Sequence, residues 1–120
     1  MKNKHPSPIE YDVPGMDKES IKRSLCNHLT LSISKHAGSA TSRDWFESAA
    51  HSVRDRLVER WMETMQTYYE KDAKRVYYLS LEFLVGRTFS NAVLNLEIQE
   101  ECKAALLELG HEVEKLTDIR

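Results

Sequence analysis

The sequence predicts a mainly α-helical fold with one β-strand, and three observations carry that reading. All three prolines, Pro6, Pro8 and Pro14, fall in the first 14 residues, so no ring without an amide interrupts a helix between residues 15 and 120. The four glycines stand alone at positions 15, 38, 86 and 110, which makes them element boundaries. A single run, Arg75 to Val85, is dense in β-branched and aromatic residues.

The elements follow in order. Residues 1–16 hold the prolines and no periodic apolar pattern, and read as an extended N-terminal arm ahead of a helical region spanning 17–120. Ile21, Leu25, Leu29 and Ile33 recur every four residues, with Asp17 as N-cap and Gly38 as stop, predicting a helix over 17–37. Leu29, Leu31 and Ile33 also alternate, a competing strand signal at its far end. After the break at His36 to Ala40, Thr41 and Asp44 have capping-box spacing at the start of a long second helix. Its stripe of Phe46, Ala49, Val53, Leu57, Trp61, Met65 and Tyr68 reads as core rather than as a cofactor pocket. Arg54, Asp55, Glu59 and Glu63 lie away from the stripe, on a solvated face. Beyond Gly86 the pattern returns to helix: a short element over 87–94, a helix over 96–109 stopped by Gly110, and a last turn or two over 112–117.

Arg75 to Val85 is apolar on both alternating faces, as expected of a strand covered on two sides in a parallel sheet. One such strand cannot satisfy its own backbone donors and acceptors, and the sequence offers no second. The expectation is therefore a chain that pairs with another, or the opening portion of a larger α/β protein.

Composition removes several classes of function. With 41% hydrophobic residues and a net charge of -2, the chain is neither collagen-like nor mucin-like. The apolar stretch of Val76 to Leu81 is interrupted at Glu82, far short of the roughly 20 residues that span a bilayer. The basic start is followed by no apolar core of a secretory signal, so the cytoplasm is the expected compartment. Nucleic acid is disfavoured because 19 acidic residues outnumber 17 basic ones. Cys26 and Cys102 lack metal-binding spacing and are expected as reduced thiols; His5, His28, His36, His51 and His111 show neither HxH nor HExxH, so no metal site is expected.

One position asks for chemistry. Glu82 sits near the carboxyl end of the expected strand, where open α/β sheets gather ligands, so it is a candidate substrate contact or general acid. A rim salt bridge with Arg75 or Arg87 explains it equally well. Gly86-Arg87-Thr88 joins strand to helix and offers amides and a guanidinium to an anion, though a single glycine is neither a P-loop nor a dinucleotide turn.

The run RVYYLSLEFLVGRTFSNAVLNL, preceded by ERWMETMQTYYEKDAKR and by TSRDWF, closely resembles the N-terminal region of the α-glucan phosphorylases, which act on glycogen, starch or maltodextrin. The resemblance runs from about Leu25 to the last residues and is densest over Val53 to Leu96. It implies an N-terminal fragment of an α/β, glycosyltransferase-B-like domain of a homodimeric transferase. That enzyme uses pyridoxal phosphate and inorganic phosphate to release glucose 1-phosphate from α-1,4-glucans, and the cofactor's phosphate group takes part in proton transfer. The cofactor lysine and catalytic residues of the family fall outside this sequence, and the family's glycine-rich loop would begin shortly after Arg120. No catalytic or cofactor-binding residue, and no bound cofactor, is thus expected in this chain alone.

Residue by residue, Glu82 matches the glutamate lining the family's substrate cavity, which favours the functional reading. Leu84 stands where animal members carry a tyrosine near the cofactor, so that contact is not carried over. Trp61, Gln66 and Tyr69 match the AMP site of the animal enzymes, Tyr69 at the nucleotide-stacking position. Met65 replaces a glutamine there, and His36 and Ser39 replace an aspartate and a valine of the cap loop. With these departures the resemblance does not imply a working nucleotide switch. No serine has the basic flank of the family's regulatory phosphorylation site; Ser7 is followed by Pro8 and Ile9, and Ser24 falls within a predicted helix. A bacterial-type, less regulated member is the expectation. The alternative is a non-catalytic helical interaction module that retains the family's dimerisation surface.

Overall fold

The computed structural model describes residues 11–118 as α1 (Lys18–Asn27), α2 (Ser42–Glu70), α3 (Phe89–Asn95), α4 (Gln99–Glu108) and α5 (Val113–Thr117). Most of the expected arm, residues 1–10, lies outside the described residues. The Asp17 carboxylate accepts the Ser20 amide at 3.2 Å and the Ser20 hydroxyl, satisfying donors that the first turn of α1 leaves free. Ile21 and Leu25 are buried as their spacing demands, and Leu29 continues the stripe beyond the α-helix proper.

The expected helix over 17–37 is corrected. After Asn27 the backbone widens into one π-helical turn, His28–Ser32, and stops at Ser34, whose φ of 61° is left-handed. Gly38 plays no part in the stop. A helix extends profitably when it adds an apolar face to a packed surface. Leu31 is already 78% exposed, and Ser34 to Ser39 has no apolar stripe to add.

The capping box of α2 forms as expected: the Thr41 amide donates to Asp44 at 2.8 Å and the Asp44 amide to the Thr41 hydroxyl at 3.3 Å. Trp45, Ala49 and Val53 enter the core, and Ser48 and Ser52 between them are small enough to let α1 approach. The Ser48 hydroxyl donates to the Leu25 carbonyl, so this close contact leaves no buried polar atom unpaired. Leu96, Ile98, Cys102, Ala105 and Leu106 complete one core shared by α1, α2 and α4. At its edge the Glu108 carboxylate receives Lys18 at 2.5 Å and Lys22 at 3.1 Å, joining α4 to α1.

Three helices end in the same way. Asp72, Glu97 and Gly110 have φ of 48°, 59° and 87°. In each case the next amide bonds back to a carbonyl five residues earlier: Ala73 to Tyr68 at 3.0 Å, Ile98 to Val93 at 3.3 Å, His111 to Leu106 at 2.9 Å. The left-handed Glu97 is the reason α4 begins at Gln99 rather than at the expected position 96.

The expected β-strand is absent among the described residues. Residues 73–88 carry no regular secondary structure, and the side chains that looked doubly buried lie open, Val76 at 88% and Leu84 at 96% exposure. A strand exists only through hydrogen bonds to a neighbour, and no other described segment offers an edge to pair with. Local composition selected an extended backbone and could not supply the ladder.

Candidate functional site

Helix α2 is 29 residues long and packed along only its first part. From Leu57 to Glu70 it stands clear of the core, with Trp61 60% exposed and Met62, Tyr68 and Tyr69 also open. At about 100° per residue, Trp61, Met65, Tyr68 and Tyr69 fall within one arc of roughly 100°, and Gln66 lies about 60° beyond Tyr69. The Gln66 amide donates to the Glu70 carboxylate at 2.9 Å, along the helix. Three sequence-predicted site residues, Trp61, Gln66 and Tyr69, therefore share one exposed half-helix.

Glu82 lies apart from them in the open 73–88 segment. The Ser80 hydroxyl donates to the Glu82 carbonyl at 2.7 Å and lies 3.3 Å from the Glu82 amide, a local turn that fixes backbone direction. The rim salt bridge is not formed among the described residues. Arg87 turns instead to the Thr117 carbonyl at 3.4 Å and the Asp118 carboxylate at 3.7 Å.

Arg87 and Thr88 do help to line a cleft of about 540 Å³ between α2 and α3, with Phe46, Arg54, Leu57 and Phe89. The Phe46 and Phe89 rings meet at 5.5 Å between centroids within it. The cleft is chiefly apolar with two guanidinium groups at hand, and Glu82 is not among its lining residues.

Two arrangements escaped the sequence reading because their partners are distant in the chain. His28 sits in the π-helical turn with one ring nitrogen 2.8 Å from the Ser32 hydroxyl and the other 2.6 Å from the Asp55 carboxylate, and its ring stacks on His51 at 5.3 Å. The second is Arg56, 1% exposed, whose guanidinium donates to the Ser52 carbonyl and hydroxyl and, from the other edge, to the Gly15 carbonyl. Burial pulls its pKa down, against the opposing fields of Asp55, Cys102 and Asp17. The only sequence signal was an arginine three residues after Val53, on the edge of the apolar stripe.

The Cys102 thiol is buried and its pKa is pushed up to about 11 by desolvation, only partly countered by Arg56. It is a thiol at neutral pH and a poor nucleophile. Both cysteines are free. Among the described residues no group of three His, Cys, Asp or Glu is placed to hold a metal, and no helix is long and apolar enough to cross a membrane.

Over 103 residues the chain is 47% identical to the brain form of glycogen phosphorylase from Homo sapiens, a match covering 86% of this chain and 12% of that protein. The liver and muscle forms from Homo sapiens are 48% and 46% identical over 99 residues, again covering 12% of each. No family model matches the chain. The chain is a relative of the glycogen phosphorylases and corresponds to their N-terminal region. It spans about an eighth of the length of the relatives it matches.

Proposed function

We propose that this chain is the N-terminal portion of a glucan phosphorylase, an enzyme that transfers the terminal glucose of an α-1,4-glucan to inorganic phosphate and releases glucose 1-phosphate. The observation that carries the reading is 47% identity sustained over 86% of the chain. The open 73–88 segment, apolar on both faces, supports it, since such a segment becomes a strand only beside others. In the complete enzyme Glu82 would line the glucan cavity at the carboxyl end of that strand, and the exposed half of α2 would meet the second subunit of a homodimer in the cytoplasm.

Pyridoxal phosphate is the cofactor implied for the complete enzyme, and the described residues do not fit it. A Schiff-base lysine must be desolvated to be neutral at working pH. No described lysine is buried, and Lys18, Lys22, Lys103 and Lys115 are all engaged with carboxylates at the surface. No step through the cofactor is derived for these residues, and the chain alone is proposed to be inactive.

The test is a chimera in which this chain replaces the matching region of the brain-form phosphorylase, assayed for glucose 1-phosphate release from glycogen. An active chimera whose rate falls at least tenfold on Glu82→Ala supports both the assignment and the cavity role. A folded, dimeric but inactive chimera counts against the assignment; an active one indifferent to Glu82→Ala removes the role of Glu82.

The exposed aromatic face of α2 favours a second reading, a non-catalytic module that pairs with an intact phosphorylase. Co-elution of the isolated chain with the full-length enzyme at micromolar concentration is its signature, and separate elution removes it.

A further inference from the structure

The buried guanidinium of Arg56 has no carboxylate within ion-pairing distance among the described residues. Its Nη1 donates to the Ser52 carbonyl at 2.7 Å and the Ser52 hydroxyl at 2.9 Å. Its Nε and Nη2, the paired donors of one edge, converge on a single neutral oxygen, the Gly15 carbonyl, at 2.9 and 2.7 Å. That edge has the spacing of the two oxygens of a carboxylate or phosphate, and a buried cation prefers an anion to a neutral acceptor. What covers the edge is not an element of the bundle but the strand of backbone leading into α1. Tyr11 and Val13 are exposed, and among the described residues the covering segment is held at Gly15, by Arg56, and at Met16, which packs against the core.

Gly15 is itself seated tightly. A Cβ added there would collide with the Ser20 hydroxyl and lie 2.7 Å from the Ser20 Cβ and 2.9 Å from the Asp17 carboxylate, so any side chain forces the Gly15 backbone and the α1 cap apart.

We propose that Arg56 and Ser52 form a concealed binding site for a small oxyanion, with the Gly15 carbonyl as its built-in occupant and residues 11–16 as a displaceable strap. An anion that takes the Nε and Nη2 edge releases Gly15 and draws Met16 out of the core. The inference does not depend on the phosphorylase reading, since it rests on Arg56 and Gly15 alone.

The test is a methionine-methyl NMR titration of the chain with sodium phosphate against sodium chloride at matched ionic strength. Met62 and Met65, on the distal half of α2, serve as internal references. Phosphate, and not chloride, moves the Met16 methyl from its packed position toward that of a free methionine. Gly15→Ala retains Arg56 while loosening the strap, so its midpoint falls about tenfold in phosphate concentration, as for any site whose competent state becomes more populated. Arg56→Gln leaves Met16 unresponsive to phosphate. If that variant does not fold, the Gly15→Ala shift decides the matter. A Met16 signal that is equally indifferent to phosphate and chloride in both the unaltered chain and Gly15→Ala overturns the proposal, as does a phosphate response that survives in Arg56→Gln.

Discussion

Helix α2 is one continuous element with two environments. From Trp45 to Arg56 its inward side chains pack in the core, where α2 meets α1, the π-helical turn, α3 and α5; from Leu57 to Glu70 a run richer in aromatics and methionines is largely exposed. Apolar spacing is the same on both sides of Arg56, so the difference lies in what stands opposite. The proximal half faces Ile21, Leu25 and Leu29, spaced to meet it, whereas the distal half and the 73–88 segment present apolar surface that nothing described here covers. Periodicity thus identifies a face that wants burial and is silent on whether the partner belongs to the same chain.

Truncating the shared core gives the largest separation between the two regions. Leu106→Ala, at a fully buried position, is expected to cost about 2–5 kcal/mol in urea unfolding, whereas Leu81→Ala in the open segment stays within about 0.5 kcal/mol. Equal losses at both sites would mean that 73–88 packs against the bundle after all.

Helix ends come next. Thr41→Ala removes the hydroxyl half of the capping box, leaving the backbone amide bonded to Asp44, and should cost about 1 kcal/mol. Gly110→Ala forces an L-residue to a φ of 87° and should cost a similar 1–2 kcal/mol, both read from thermal melts. A loss near zero for Gly110→Ala would show that α4 can end without a left-handed residue.

On the distal half, Trp61→Ala should change stability by less than about 0.5 kcal/mol while weakening any self-association seen by sedimentation. A large loss of stability would place Trp61 in the core instead.

The smallest effect is electrostatic. Lys18 and Lys22 hold the Glu108 carboxyl below its ordinary range, so the folded state binds that proton less readily than the unfolded chain. Stability from this contact is complete above the ordinary carboxylate range and fades as pH falls through the lowered folded value. Glu108→Gln should lower stability slightly at neutral pH, flatten the acid limb of a stability–pH curve and leave the most acidic end nearly unchanged. An acid limb of unaltered slope would remove Glu108 from the account.

Much of the helical architecture was legible in the residues, and what failed did so for physical reasons. Asp17 and Thr41 announced two helix starts because capping is local chemistry within four residues. The helix ends were harder. Gly110 was readable as a stop because glycine takes a left-handed φ without strain, but Ser34, Asp72 and Glu97 adopt the same conformation with a side chain, which only the surrounding packing can impose. The strand was misread because its composition speaks of an environment that the described residues do not provide. Glu82 was singled out by its place on the expected strand and favoured by resemblance to a family, whereas the Trp61, Gln66 and Tyr69 group could be singled out through that resemblance only. The grip of Arg56 on Gly15 and the pairing of His28 with Asp55 were invisible, since each joins residues more than 25 positions apart.

The half-packed geometry of α2 has a mechanical side. Fourteen residues from Leu57 to Glu70 form a cantilever about 21 Å long, rooted where Arg56 is gripped. A tilt of about 5° at that root swings the tip by roughly 2 Å over this length. Any surface that rests on Tyr68 or Tyr69 would then act as a gauge of the seating of Trp45, Ser52 and Gly15, converting small adjustments near the buried arginine into displacement far from it.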